Sequence, residues 1–303
     1  MKKIWKRICS FVTAAGLLLP SVGMDSLQQL TVYAESSDYT GAYVYKEHLY
    51  YDIADGEVAI TDYDNSYSAI AIPPEINGMP VTKIDVHAFQ DATNLSYIEI
   101  PDSITSIGDA AFDRCSALTE IEIPDSVTTI GVAAFRDCSN LTSAVIPEGV
   151  TVIDRAIFKE CRKLESVTIP AGVTEILNSA FYNCRKLQSV TLPESLTMID
   201  ESAFANCTSI TSITIPKNVT DIESSAFVYC LELQSIEVSE ENAVYTSSDG
   251  ILFNKDMTSL LVFPAGKRCE SYVFPDSVTA IGRCAFYGCK RVLSLIHISE
   301  PTR

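Results

Sequence analysis

The chain has 303 residues, with 22 Lys and Arg against 39 Asp and Glu, giving a formal charge of −17. That balance argues against a nucleic-acid partner, because phosphate binding needs clustered cations, and it disfavours docking on anionic lipid. Length alone fits one elongated domain or two compact ones.

The N-terminus reads as a signal peptide. Lys2, Lys3, Lys6 and Arg7 form a basic start, and Ile8 to Leu19 form an apolar run too short to span a bilayer. Val32-Tyr33-Ala34 is a small-residue cleavage pattern before Glu35, so cleavage is predicted after Ala34 and export follows. Removing residues 1–34 takes away four basic groups and one acid and leaves −20. Cys9 lies at the start of the apolar run, far ahead of the cleavage pattern, and is badly placed for lipid attachment. Residues 35–71 read as a linker and a β-hairpin: Leu49-Tyr50-Tyr51-Asp52-Ile53, then Asp55-Gly56 at the turn, then Val58-Ala59-Ile60. Ahead of an array of repeats, such a hairpin is expected to cap the open end.

Residues 72–292 repeat. Pro101, Pro124, Pro147, Pro170, Pro193 and Pro216 follow one another at 23-residue steps, as do Cys115, Cys138, Cys161, Cys184, Cys207 and Cys230. Phe89, Phe112, Phe135, Phe158, Phe181, Phe204 and Phe227 keep the same step. Seven copies carry the Phe-to-strand half of the unit, and an eighth runs from Phe274-Pro275 to Cys289. A 23-residue period falls within the range of leucine-rich repeats. In each unit the Ile-x-Ile segment alternates apolar and polar, the period of a half-buried strand, and the proline after it cannot donate a ladder hydrogen bond and ends the strand. The predicted class is an α/β solenoid, a leucine-rich repeat with short parallel strands on one face and the hairpin cap at its N-terminal end. No single copy can bury its own apolar face, so the copies are expected to fold together.

These residues resemble the BspA-like leucine-rich repeat family. The shared pattern, Ile-Pro-x-x-Val-Thr-x-Ile-Gly-x-x-Ala-Phe-x-x-Cys-x-x-Leu-x-x-Ile-x-Ile-Pro, is fullest from Ile123 to Pro147, where Ala144 departs from it, and the resemblance covers about residues 49–292. It implies a secreted or surface-attached bacterial protein acting in adhesion to host or neighbouring cells.

Two segments leave the register. Residues 239–273 interrupt the stack, since Cys289 follows Cys230 by 59 residues; Asp249-Gly250, Ile251-Leu252-Phe253, Asn254-Lys255-Asp256 and Leu260-Leu261-Val262-Phe263 read as a second hairpin within a degenerate repeat. After Val292 the template demands another Ile-x-Ile-Pro strand, and the chain supplies Leu293 to Arg303 instead. That string matches one reading frame of a common transposase-based sequencing adapter, so residues 293–303 are read as non-native and the natural chain is expected to continue. The uncovered last turn is expected to self-associate through its open edge.

Candidate chemistry is sparse. Nine cysteines remain after leader removal, six at one repeat position. Stacked neighbours about 5 Å apart with parallel side chains do not suit a disulfide, which wants converging Cβ atoms at about 3.8 Å. A row of free thiols behaving as small apolar residues fits better, and one bridge among Cys269, Cys284 and Cys289 stays open. Outside the tail the histidines are His48 and His87, neither with a ligand partner at a recognised spacing; no nucleophile elbow, zinc helix or phosphate loop occurs. Asp62, Asp64 and Asn65 lack the glycine and glutamate of a calcium loop. No catalytic residue, metal or cofactor is predicted. The Asn-x-Ser/Thr sites at Asn94, Asn140, Asn206 and Asn218 fall within the repeat register and say little about glycosylation.

The remaining candidate is a surface. Outward strand positions read Tyr97 and Glu99, Glu120 and Glu122, Ser143 and Val145, Ser166 and Thr168, Ser189 and Thr191, Ser212 and Thr214, Ser235 and Glu237. All except Val145 are taken as candidate contacts, a Ser/Thr stripe with acidic ends and one aromatic. The predicted function is an extracellular binding or adhesion module for a protein or glycan; the alternative is an accessory or spacer arm of a longer extracellular enzyme.

Overall fold

The computed structural model describes residues 43–45, 48–290 and 292–296. The signal-peptide segment 1–34, the start of the linker and residues 297–303 lie outside them.

The chain coils into a solenoid with one turn per 23 residues. The Ile-x-Ile segments form short parallel ladders: 69–71 with 97–99, then 120–121, 143–145 and 166–168, then 212–215 with 235–238. Residue pairs 23 apart face each other, as in Ser143 opposite Ser166 and Ile213 opposite Ile236.

A second parallel ladder runs along another side, built from the Thr-x-Ile segment after each proline. Residues 57–63, 79–84, 106–107 and 129–130 share one sheet, and 152–153, 175–176, 198–199 and 221–222 form the next. Two-residue strands are too short to show a periodicity of their own, so this ladder is visible only once the turns stack. Toward its N-terminal end the first sheet includes the hairpin of Leu49–Ala54 and Glu57–Tyr63, with Asp55 and Gly56 at φ 55° and 82° in its turn, and Tyr43–Tyr45 pairs antiparallel on the outside of it. Both central residues at positive φ are what a two-residue type I′ turn requires.

The expected α/β class is corrected here: no helix occurs among the described residues. The returning arm, from Gly108 to Leu118 and its equivalents, is a chain of tight turns. Two residues per repeat take left-handed φ, at Ala110, Ala133, Ala156, Ser179 and Ser202 and again four residues later at Arg114, Asp137, Glu160, Asn183 and Asn206. A left-handed residue every few positions interrupts any α-helical run. The freed N–H groups donate to the following turn instead: Phe112 N to Ala134 O at 2.7 Å, Arg114 N to Arg136 O at 2.7 Å, and their equivalents along the stack. The corner is thus a third hydrogen-bonded ladder.

The interior is organised in rows. Phe112, Phe135, Phe158, Phe181 and Phe204 are fully buried, and successive rings from Phe89 to Phe227 stack at 5.1 to 5.7 Å with planes within 11°. The six in-register cysteines are free and fully buried. Each Sγ donates to the carbonyl of the phenylalanine 26 residues earlier, at 3.1 Å. The row therefore has a polar role that a reading as small apolar residues omits.

The irregular segment is a three-stranded meander: Tyr245–Ser248, Ile251–Asn254 and Ser259–Val262, antiparallel, the last pairing in parallel with Ala280–Ile281. It divides the interior, with Leu252 and Val262 packing against the main core while Ile251, Phe253 and Leu260 face a second cluster around Phe263 and Phe274. Phe263 takes up the corner position, donating its N–H to Ala285 O at 2.8 Å and stacking on Phe286 at 5.1 Å. The final strand Val292–Ile296 pairs in parallel with Cys269–Val273, so it carries the backbone ladder four residues past Val292. Ladder bonds are made by the main chain and do not require the repeat's side chains.

Candidate binding face

The first ladder presents the predicted stripe. Buried Ile98, Ile121, Ala144, Val167, Val190, Ile213 and Ile236 alternate with the outward residues. Glu120, Glu122, Ser143, Ser166, Thr168, Ser189, Thr191, Ser212, Thr214 and Glu237 are exposed, and Tyr97, Glu99 and Ser235 are half-buried. Neighbours in register include Glu120 with Ser143, Ser143 with Ser166, Ser166 with Ser189, Ser212 with Ser235 and Thr214 with Glu237. Strand pairing is not continuous along the stripe: it breaks between the 97–99 and 120–121 strands and again before 212–215, and the turn at Ser189 joins only its predecessor, by a single bridge. Val145, not among the candidates, is 60 % exposed in the middle of the face and pairs in register with Thr168.

The chemistry-bearing side chains elsewhere are spent on the fold. Burial pushes the thiols of Cys138, Cys161, Cys184 and Cys207 well above the ordinary range, and that of Cys230 up to about 12. Thiols kept protonated in an apolar interior are poor nucleophiles. Among the described residues no group of three His, Cys, Asp or Glu is arranged to hold a metal. His87 is exposed at a left-handed corner position, φ 63°, in register with Ala110. His48 Nδ1 lies 2.8 Å from Asp64 Oδ2, and Asp64 Oδ1 accepts from Ser66 N at 2.9 Å, so the acidic group near residue 64 shapes a turn. The sequon amides of Asn140 and Asn218 donate inside the stack, to Ser116 O at 2.6 Å and Glu194 O at 2.7 Å. Asp113 is a buried charge that the sequence did not single out. Burial alone would raise its carboxyl, yet hydrogen bonds from Arg136 and Gln90 and the charges of Arg136 and Arg114 hold it below the usual range.

The stacked rows, the proline stops and the corner geometry agree with a family pattern, described as a BspA type leucine rich repeat region, that matches six copies over residues 63–188, 151–275 and 262–302. The chain belongs to this BspA-type leucine-rich repeat family. Among solved structures, it is similar to a leucine rich cell surface protein from Faecalibacterium prausnitzii, with 26 % identity, a TM-score of 0.62, and 86 % of this chain matched to 77 % of that one. A leucine-rich repeat protein from Bacteroides ovatus shares the fold at 23 % identity and a TM-score of 0.50, covering 87 % of this chain and 83 % of its own. The pneumococcal vaccine antigen PcpA does so at 21 % identity and a TM-score of 0.52, covering 88 % and 65 %. No curated protein matches. Among the described residues no helix is long and apolar enough to cross a membrane.

Proposed function

We propose that this BspA-type repeat protein acts at the bacterial cell surface as a binding module, and that the hydroxyl-lined first ladder is its contact face. The observation that carries this reading is the pair of outward rows, Ser143-Ser166-Ser189 and Val145-Thr168-Thr191, exposed above a fully closed interior. A rigid ladder fixes these groups at the strand spacing of roughly 4.8 Å, so a partner meets them without an ordering cost on this side. The likeness to a protein described as a cell surface protein supports the location.

The test is binding of the full chain to a panel of matrix proteins and surface glycans. Replacing Thr168 and Thr191 together by Gln adds neutral bulk on the face and is expected to abolish binding. Thr174→Gln, on the second ladder, is expected to leave it intact. Binding that ignores the first pair, or that is lost equally with the second, would refute the face.

A further inference from the structure

One part of the molecule reverses the overall charge. Residues 158–189 carry five cations, Lys159, Arg162, Lys163, Arg185 and Lys186, against three acids, Glu160, Glu165 and Glu175, a local +2 in a chain of −17. The corresponding stretch one turn pair earlier, 112–143, holds Arg114 and Arg136 against five acids. Arg162-Lys163 and Arg185-Lys186 occupy the same corner in adjacent turns, joined by the bond from Gln188 N to Glu165 O at 3.2 Å and the bridge between Ser166 and Ser189. All four are exposed.

Their geometry is prepared. Arg162 Nε donates to Glu160 Oε2 at 3.0 Å, Asn183 Nδ2 donates to the same oxygen at 2.5 Å, and Arg185 Nε donates to Asn183 Oδ1 at 2.7 Å. One chain of acceptors thus orients both guanidinium groups through Nε, and none of their terminal nitrogens hydrogen-bonds within the described protein. Lys163 and Lys186 have no carboxylate within ion-pair distance among the described residues, and Lys159 is held over the Tyr182 ring at 5.2 Å. Guanidinium forks bound in this way suit carboxylate and sulfate oxygens, which they take two at a time. Each corner leads directly into the proposed face, at the strand Ser166–Thr168 and at the bridged segment of Ser189 and Thr191.

We infer that the corner of Arg162, Lys163, Arg185 and Lys186, with the adjoining hydroxyls, binds an acidic polysaccharide, its carboxylate or sulfate groups on the cations and its hydroxyls on the Ser/Thr rows. This rests on the proposed face and names its ligand class. The negative charge of the rest of the chain repels every polyanion alike, so the discrimination rests on the adjoining surface: no exposed large apolar side chain lies in this corner to enter a membrane, and single-stranded DNA lacks the sugar hydroxyls that would meet the Ser/Thr rows.

The test titrates the full chain with heparin as the acidic polysaccharide and with dextran, phosphatidylserine vesicles and single-stranded DNA as alternatives. Heparin is expected to bind in a salt-sensitive way, and dextran, vesicles and DNA far less. The double variant K163E and K186E changes only exposed groups and is expected to weaken heparin about tenfold or more, since bonds to charged groups are the stronger ones. Absent heparin binding, an unchanged affinity in the double variant, or equal binding of vesicles or DNA would overturn the inference. Should the Thr168 and Thr191 variant lose a panel partner that the lysine variant keeps, the face stands and the acidic-glycan assignment falls.

Discussion

Phe158→Ala measures how far the stack acts as one body. Phe158 is fully buried between Phe135 at 5.5 Å and Phe181 at 5.7 Å, with planes within 11° of both. Truncation removes the ring from two aromatic contacts, each about 0.5–1.5 kcal/mol beyond its area, and leaves a cavity closed on both sides. Flanking turns are held at three ladders and cannot collapse into the space, so the cost falls at about 3–5 kcal/mol. Phe286 is the comparison: it is half-buried, with one stacked neighbour, Phe263, and Phe274 edge-on at 6.4 Å, and because its ring is partly in water already, Phe286→Ala is expected to cost under about 2 kcal/mol. Urea unfolding followed by far-ultraviolet circular dichroism compares them, because the single tryptophan, Trp5, lies outside the described residues. Equal losses at the two positions, or a loss within about 1 kcal/mol of zero at Phe158, would refute nearest-neighbour stacking as the source of stability.

Four further outcomes follow from the same geometry. The six in-register thiols are expected to resist alkylation in the native protein at pH 8, while Cys269 and Cys284, both half-buried, react; mapping of labelled peptides checks this. Asp113, with its carboxyl held below its ordinary 3.8, contributes stability that is present above that value and is lost as pH falls through the folded pKa. Asp113→Asn is therefore expected to destabilise at pH 7, and the difference from the parent to shrink as pH is lowered below 3.8, read from urea midpoints measured from pH 7 downward. A Cβ on Gly108 would lie 2.6 Å from Val86 N, backbone of the preceding turn, whereas one on Gly172 meets nothing nearer than 3.9 Å. Gly108→Ala is expected to cost about 1–3 kcal/mol and Gly172→Ala almost nothing, a difference thermal unfolding resolves. Ile281 is 52 % exposed where Ile107, Ile130, Ile153, Ile176 and Ile199 are buried. The protein is expected to self-associate through this edge and Ile281→Lys to suppress it; light scattering showing a monomer without the substitution would count against the idea.

The face was legible residue by residue, since alternation in Ser143-Ala144-Val145 or Ser166-Val167-Thr168 assigns each side chain to one side of a strand. Its breaks were not, because pairing at Ser189 depends on how two turns meet. The basic corner is hidden in the sequence for a different reason. Arg162-Lys163 and Arg185-Lys186 are modest dipeptides 23 residues apart, and the Glu160–Asn183 link that aims them exists only between turns. The α part of the expected α/β class failed because residues such as Ala110 and Arg114 carry no mark of a positive φ. Alanine and arginine ordinarily avoid that region, and they adopt it here under the hydrogen bonds of the neighbouring turn.

By itself the amino-acid string determined the period, the family, the identity of the interior rows and the direction each strand residue faces, because all of these are carried by residue type recurring at a constant step. Only the tertiary structure decided that successive turns share up to three ladders, that the arm is built of corners and not helix, that the thiols are hydrogen-bond donors, and which charges meet. Those features belong to contacts between residues 22 to 26 apart, and their energy appears only when one turn lies against the next.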